Sequence, residues 1–384
     1  MIFGMSVALL LTELGLRILS PSTKEYNVYK RYLHITFNPS MDIMPGINGE
    51  ARFASNSQGI RGDELSSKHT YRILAMGGST TQCLYLDQEE MWTCLLQKRL
   101  NENVQNHLVW VGNVGKSGLT TRHHILQMNY LLQQQPHIDA IILLTGVNDL
   151  NRRLAEDVDY DPFFMEKPGC EDKLLFETFH VLPVGRNKML PYYKRTALWH
   201  FGRIIKYRFF ASGSVQDREG KYYERWRKLR QNAVAIRDTL PDLTSSLEEF
   251  SRNINRIIDL AQMKSVRIIL VTQPVMWRPG LPEQQKNLLW FGFIGRYSPG
   301  QERDYYSVEA LAGGMKMYND ILRKICEMRQ VECIDLALIL ANDTSIFYDD
   351  CHFNERGAEL VADHLSRHFL SRDPLTARER HAVD

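Results

Sequence analysis

Residues 71–82 read YRILAMGGSTTQ, an apolar run that ends in two glycines and a group of hydroxyl side chains. Short apolar runs of this kind are typical of a strand that is buried on both faces of a parallel sheet. The glycines permit a tight turn with a close approach of the backbone. We therefore predict a β-strand over Tyr71–Met76, followed by a turn that holds the Ser79 hydroxyl at the mouth of the sheet.

Four further runs share this character: Leu108–Val114, Ile138–Thr145, Val266–Thr272 and Val331–Leu336. Helical patterns alternate with them over Glu89–Leu100, Thr121–Gln134, Leu243–Gln262, Leu311–Met328 and Glu355–Leu370. The alternation predicts an α/β fold in which a five-stranded parallel sheet lies between two layers of helices. Ligands of such a sheet bind at the carboxyl ends of its strands.

Composition limits the classes of protein to which the chain can belong. It has 384 residues, 44% hydrophobic and 24% charged, which excludes a disordered or fibrous protein. The 47 Lys and Arg against 45 Asp and Glu give no overall basic field, so we predict no nucleic-acid partner. The six cysteines show no CxxC spacing, which predicts neither a disulfide scaffold nor a structural zinc ion.

The N-terminal segment Met1–Leu19, MIFGMSVALLLTELGLRIL, carries no charge before Glu13. A membrane span needs roughly 20 mostly apolar residues. The segment reaches that length if Glu13 and Arg17 pair or extend to one interface. We predict a membrane anchor over residues 1–20, and a helix packed on the rest of the chain is the alternative. By the positive-inside rule, the basic residues that follow would lie in the cytoplasm.

Two long stretches interrupt the alternation of strands and helices. Residues 151–240 are rich in aromatic and basic side chains, and residues 276–306 contain the sequence LLWFGFIGRY. Long insertions in a compact domain are often lids or binding loops, and packing of their own small core is an equal alternative. We divide the chain into the anchor, an extension over 21–70, an α/β domain over 71–375 and a tail over 376–384.

The turn after the first strand, taken alone, supports several interpretations. Unpaired N–H groups at a helix N-terminus attract negative charge, so a serine there can attack a carbonyl while its own N–H stabilises the oxyanion. A helix cap or a phosphate-binding loop would fit the same residues. The phosphate-binding motif lacks its lysine, however, because Gln82 and Cys83 follow. We predict no cofactor.

Residues of the donor type follow the second and third strands as well. Gly118 lies in the sequence GKSGLT after the second strand, and Asn148 lies in GVND after the third. A glycine N–H and an asparagine side chain are donors that an oxyanion hole uses. Either motif alone is better explained as a turn.

Asp349 and His352 precede the last helical pattern. Their spacing can bring the carboxylate to the His352 Nδ1–H and leave Nε2 to take a proton from Ser79. Asp349, Asp350, Cys351 and His352 are also metal-ligand types, but adjacent residues rarely converge on one ion, and we predict no metal.

Taken together, these motifs resemble the SGNH hydrolases, also called the GDSL esterase/lipase superfamily. The first block is matched by Gly77–Thr80, with Gly78 in place of the usual Asp, and the second by Gly118. The third block matches residues 146–149, and the final DxxH block matches Asp349–His352. The resemblance spans residues 71–370 and leaves the insertion over 151–240 unexplained.

The resemblance implies a three-layer α/β/α sandwich of the flavodoxin-like type and serine-dependent ester hydrolysis without a cofactor. It implies Ser79 as the nucleophile, His352 as the base and Asp349 as its partner. The oxyanion hole would consist of the Ser79 and Gly118 backbones and the Asn148 side chain. The expected substrate carries a small acyl group on a carbohydrate or a lipid.

Residues 56–62, NSQGIRG, resemble membrane-tethered bacterial members of this superfamily. This implies an extracytoplasmic domain held by the N-terminal anchor, against the charge argument above, and we adopt the resemblance. Three alternative functions stay open. They are an acyltransferase with the same triad, a catalytically silent membrane-tethered binding module, and a metal-dependent hydrolase built on Asp349 and His352.

Overall fold

The computed structural model describes residues 2–20, 23–104, 107–135, 137–186, 190–210, 218–295 and 303–371. Its strands are β1 (His34–Phe37), β2 (Ala51–Ala54), β3 (Tyr71–Gly77), β4 (Val109–Asn113), β5 (Ala140–Leu144), β6 (Ile236–Arg237), β7 (Arg267–Val271), β8 (Tyr305–Tyr306) and β9 (Glu332–Ile334). Its α-helices are α1 (Ile2–Leu19), α2 (Ser79–Gln82), α3 (Trp92–Asn103), α4 (Thr121–Gln134), α5 (Val147–Glu156), α6 (Cys170–Thr178), α7 (Ala197–Phe210), α8 (Lys221–Gln231), α9 (Thr244–Met263), α10 (Glu283–Lys286), α11 (Val308–Arg329), α12 (Leu336–Ile339) and α13 (Glu355–Ser371).

The central sheet is parallel and has the strand order β4-β3-β5-β7-β9. This is the flavodoxin-like order, and it confirms the predicted fold class. Every residue of β4 and β5 is buried, as expected for strands covered on both faces. Ala75 of β3 is paired with Asn113 of β4, and Gly77 is paired with Leu144 of β5. The loops after these three strands therefore begin at the same edge of the sheet.

Two groups of helices form the outer layers of the sandwich. α3 and α13 pack against each other, and α9 contacts α4, α5 and α11 in the second group. The five predicted helices are all present, although their ends differ by a few residues. A disulfide links Cys326 of α11 to Cys333 of β9. The predicted insertion begins inside α5 and contributes α6, α7 and α8.

The prediction of a membrane anchor over residues 1–20 is wrong. α1 has 18 residues, so it is about 27 Å long, and none of the described helices combines the length and the apolar character required to cross a bilayer. Glu13 and Arg17 form an ion pair of 2.7 Å within the helix. The Glu13 carboxylate also accepts the N–H groups of Ala197 and Leu198, at 2.8 and 2.9 Å.

Glu13 therefore satisfies unpaired donors at the start of α7, against which α1 packs. The predicted membrane-anchored localisation is wrong as well, because it rested on this segment.

A buried ion pair joins α4 to α9 within the second helical layer. The Arg122 guanidinium donates to both carboxylate oxygens of Glu249, at 2.6 and 2.8 Å, and Tyr160 donates its hydroxyl to the same carboxylate. Both charged side chains are almost fully buried. The pair holds α4 in place, and α4 begins directly after the loop that contains Gly118.

We expect Glu249→Ala to lower the free energy of unfolding by about 3–5 kcal/mol, because it leaves the Arg122 guanidinium buried without a carboxylate. Urea unfolding followed by circular dichroism measures this change. The exposed pair of Arg356 and Glu359 provides the control, since Glu359→Ala should change stability by less than about 1 kcal/mol. Equal effects of the two variants would contradict a structural role for the buried pair.

Candidate active site

Ser79 is the first residue of α2 and lies at the carboxyl end of β3. The Ser79 Oγ is 2.7 Å from the Nε2 atom of His352, although the two residues are far apart in the sequence. Because Gly77 and Gly78 have no side chains, the backbone can turn tightly between β3 and α2 and hold Ser79 next to His352. A Cβ atom on Gly77 would lie 2.5 Å from the Leu144 carbonyl oxygen, which excludes any larger residue there without a backbone shift.

His352 is fixed by Asp349 in the loop before α13. The Nδ1 atom of His352 lies 2.8 and 2.7 Å from the two carboxylate oxygens of Asp349. The same carboxylate accepts the backbone N–H groups of Cys351 and His352 at 3.0 and 2.9 Å. Ser79, His352 and Asp349 thus lie in a continuous chain of hydrogen bonds, which is the geometry of a proton relay.

The Asp349 carboxyl is fully buried, so its charge must be stabilised by the protein. Burial by itself raises its pKa, but the charge of His352 and the hydrogen bonds from His352 and Trp290 outweigh burial. The pKa of Asp349 therefore lies below its ordinary value, and the group is ionised at neutral pH. An ionised partner can stabilise the imidazolium that forms when His352 accepts a proton.

Trp290 is a contact of the triad that the sequence does not identify. Its indole Nε1–H donates to the Asp349 carboxylate at 2.9 Å. Its backbone N–H donates to Asp350 at 2.8 Å, and the indole N–H of Trp277 donates to the same carboxylate. Asp350 is fully buried, and burial together with the charge of Asp349 raises its pKa. Asp350 thus holds the backbone that carries the Trp290 indole.

α8, within the predicted insertion, forms one wall of the site. Tyr223 meets the His352 ring edge-on, with 5.9 Å between ring centroids. The Arg227 guanidinium donates to the carbonyl of Tyr348 at 2.9 Å and to that of Ile43. Tyr223, Arg227 and Arg230 follow the spacing of one helix face, so the helical period is the signal that could have identified this wall.

Asn148 lies between the residue that follows Gly118 and the residue that precedes Ser79. The Asn148 Nδ2 donates to the carbonyl of Leu119 at 2.9 Å, and it lies 2.3 Å from the position that a Cβ atom on Gly78 would take. Gly118 has a φ angle of +78°, a conformation that favours glycine. Among the described residues, no hydrogen bond uses the N–H of Gly118 or of Ser79. These backbone groups match the donor types of an oxyanion hole.

Gln82 connects the loop that contains Ser117 and Gly118 to α2, the short helix that begins at Ser79. Its Oε1 atom accepts the backbone N–H of Ser117 at 3.1 Å and the Ser117 hydroxyl at 2.5 Å. The backbone N–H of Lys116 donates to the Gly77 carbonyl at 3.2 Å. Gln82 lies one helical turn after Ser79, so its side chain leaves the same short helix. No sequence motif marks this contact.

Arg61, from the segment assigned to an N-terminal extension, contacts the end of α2, the helix that begins at Ser79. Its fully buried guanidinium donates to the carbonyls of Gln82, Cys83 and Leu86, the latter two at 2.6 and 2.8 Å. A positive charge at these carbonyls stabilises the end of a helix. The extension is thus part of the support for α2.

A metal ion would need the same atoms as the triad. Within the part of the chain that the structure describes, Asp349, Cys351 and His352 form the one cluster whose donor atoms lie within 4.8 Å of one another. Both oxygens of Asp349 and both ring nitrogens of His352 already take part in hydrogen bonds. The donor set therefore fits a proton relay better than a metal site.

A small cavity opens beside Ser79, and it is too narrow for a water molecule. Its lining consists of Ser79, Thr80, Cys83, Tyr85, Leu86, Tyr348, His352 and Phe353. The walls are mostly apolar and aromatic, and they leave little space next to the Ser79 hydroxyl.

Several solved structures are similar to the chain at low sequence identity. An aryl esterase from M. smegmatis is 12% identical, with a TM-score of 0.41, and the match covers 78% of this chain and 99% of that chain. An acetylxylan esterase from Geobacillus stearothermophilus is 12% identical, with a TM-score of 0.40 and coverage of 82% and 97%. A member of the lipolytic protein G-D-S-L family from Veillonella parvula DSM 2008 is 13% identical, with a TM-score of 0.39 and coverage of 78% and 98%.

These identities and TM-scores are too low to assign a substrate. A search of curated proteins gives no significant match. The model of the GDSL-like lipase/acylhydrolase family matches residues 75–360, which is most of the chain and includes Ser79, Gly118, Asn148, Asp349 and His352. The match confirms the family that the sequence motifs predict. No comparison supports the predicted membrane-tethered type. The chain therefore belongs to the GDSL-like lipase/acylhydrolase family and is a carboxylic ester hydrolase.

Proposed function

We propose that the protein is a serine esterase that releases a small acyl group from a carbohydrate or lipid ester through an acyl-enzyme intermediate. The observation that carries this proposal is the 2.7 Å contact between the Ser79 Oγ and the His352 Nε2, with Asp349 bonded to the other ring nitrogen. A hydroxyl in contact with an oriented imidazole is the arrangement that activates a serine nucleophile.

In the first step, the Ser79 Oγ attacks the ester carbonyl carbon while the His352 Nε2 takes the hydroxyl proton. The tetrahedral oxyanion accepts hydrogen bonds from the Ser79 N–H, the Gly118 N–H and the Asn148 side chain. Collapse of the intermediate breaks the bond to the alcohol, which leaves with the proton from His352. Water, deprotonated by His352, then attacks the acyl-enzyme and releases the acid.

Asp349 and Trp290 act on the orientation of His352. The charged Asp349 carboxylate stabilises the imidazolium in both steps. The Trp290 indole binds one oxygen of that carboxylate, and the backbone N–H groups of Cys351 and His352 bind the other. Because both Asp349 oxygens are occupied by donors, the carboxylate has little freedom to turn away from His352.

The size of the acyl group is limited by the cavity beside Ser79. Its narrow space and its walls of Tyr85, Leu86, Tyr348 and Phe353 favour an acetyl group over long chains. The alcohol lies outside this cavity, so the cavity selects the acyl part of the ester.

We expect Ser79→Ala to lower the hydrolysis rate of p-nitrophenyl acetate by roughly 10⁴–10⁶-fold, because the nucleophile is lost. Labelling by a fluorophosphonate probe should disappear at the same time. Ser67→Ala, at an exposed position, is the matched control and should keep both properties. Labelling that persists in a folded Ser79→Ala protein would remove Ser79 from its assigned role. Transfer of the acetyl group to an added sugar instead of water would favour the acyltransferase.

Gly78→Ala tests the role of Asn148. The new methyl group would lie 2.3 Å from the Asn148 Nδ2, so the amide must move from its position beside Leu119. We expect kcat to fall by about 10²–10³-fold, the usual effect of losing one oxyanion donor, with little change in thermal stability. Gly313→Ala, in a helix with open space around it, should leave kcat unchanged.

A double variant separates the two explanations for a loss of activity in Gly78→Ala. If the substitution acts by displacing Asn148, the Gly78→Ala, Asn148→Ala double variant should be no slower than Asn148→Ala alone. If the two losses of kcat multiply in the double variant, Gly78→Ala damages the turn before Ser79 independently of Asn148.

Acyl selectivity follows from the size of the cavity. We expect kcat/KM for p-nitrophenyl esters to fall at least about tenfold from acetate to octanoate. Cys83 lines the cavity and has a φ angle of +51°, so Cys83→Gly enlarges the space and relieves backbone strain. This variant should move the preference toward butyrate by several-fold. Unchanged selectivity in both experiments would show that the acyl group binds elsewhere.

A further inference from the structure

A second cavity in the described part of the chain does not include Ser79, His352 or Asp349. It has a volume of about 810 Å³ and lies between the end of α6, the N-terminal part of α7 and the loop that follows β4. Most of its lining belongs to the insertion over 151–240, and Lys116 contributes from the loop after β4. A volume in this range is typical of sites for small-molecule ligands.

Among the described residues, the lining has basic side chains and no acidic ones. The residues of basic type are Lys116, His180, Lys194, Arg195, His200 and Arg203. Two carboxylates act on this group from outside the lining, and each already has partners. Glu13 bonds Arg17 and the N-terminus of α7, and Glu177 bonds His123 and Arg152. The cavity therefore has a positive electrostatic character that its own lining does not neutralise.

Lys116 and His180 illustrate this character. The Lys116 ammonium donates to the carbonyls of Glu177 and Thr178, which are neutral acceptors, and burial lowers its pKa to about 8. Burial, together with the positive charges of Lys30, Lys116 and Arg203, lowers the pKa of His180 to about 4. Positive charges that disfavour protonation of His180 favour the binding of an anion in the same cavity.

The remaining lining is apolar. Phe176, Phe179, Leu182, Leu190, Leu198 and Trp199 contribute to it. The aromatic ring of Trp199 also lies near the Lys194 ammonium, at 5.7 Å from the ring centroid. An inorganic ion would leave these walls in contact with water, whereas an aliphatic chain would bury them.

We propose that this cavity is a second ligand site, separate from the triad, which binds an anionic head group attached to an aliphatic chain. A fatty-acid carboxylate and the phosphate of a phospholipid fragment share this chemistry. The proposal does not depend on esterase activity, because it rests on the lining of a different cavity. The two sites are neighbours through one loop, since Lys116 lies two residues before Gly118.

Isothermal titration calorimetry of the full chain tests the proposal with four probes below their micellar concentrations: dodecanoate, dodecyl phosphate, inorganic phosphate and the neutral dodecyl maltoside. We expect the two amphiphilic anions to bind at least about tenfold more tightly than either of the others. Tighter binding of dodecanoate would indicate a fatty acid as the ligand, and tighter binding of dodecyl phosphate would indicate a phosphate ester. Equal binding of the neutral probe, or tighter binding of inorganic phosphate, would overturn the proposal.

Charge-removing variants locate the binding site. Lys194→Gln and Arg203→Gln should each weaken binding of the preferred anion by about tenfold, since each removes a charged donor. Lys228→Gln, on α8 and outside the cavity, removes an equal charge and should have no effect. Equal weakening by all three variants would overturn the proposed location.

Phosphonylated protein separates the cavity from the active site. Protein that has reacted with a fluorophosphonate should bind the anion with unchanged affinity if the ligand occupies the proposed cavity. If the protein does not react with this probe, Ser79→Ala replaces it in the same titration. Loss of binding in the phosphonylated protein or in Ser79→Ala would show that the ligand occupies the active site, and would overturn the proposal even if the esterase assignment holds.

Discussion

A carboxylate can keep its charge inside a protein only where hydrogen bonds replace the water that it loses, and Asp349 imposes this requirement on the whole site. Two backbone N–H groups, the His352 ring and the Trp290 indole meet it together. The loop before α13, the segment around Trp290 and the end of β3 must therefore adopt fixed relative positions. The small cavity beside Ser79 follows from the same positions.

Buried guanidinium groups support this arrangement from several directions. Arg61, Arg227 and Arg230 each donate to backbone carbonyls of loops around the site, and none of the hydrogen bonds described for them involves a carboxylate. An arginine in this role supplies several donors to carbonyls that no strand or helix satisfies. The loops around the site are thus fixed by side chains from the extension and from the insertion, which are distant in sequence.

Much of the fold follows from local sequence patterns. The five buried strands and the strand order agree with the alternation of apolar runs and helical patterns, because each run has to be covered on both faces. The spacing of Asp349 and His352 and the turn before Ser79 are also visible in the sequence. Trp290, Gln82 and Arg61 are not, since their contacts depend on tertiary packing. The membrane prediction for α1 fails for a related reason. The sequence shows the length of its apolar stretch, but it does not show the contact of Glu13 with α7.

The space at Gly78 has a consequence for how variation in this family is read. The Asn148 amide occupies the volume in which a side chain on residue 78 would begin. The aspartate that is usual at this point of the motif therefore requires the Asn148 amide to move from its place beside Leu119. Residues 78 and 148 form a linked pair, so engineering that changes residue 78 toward the family consensus also changes the position of a hydrogen-bond donor beside Ser79.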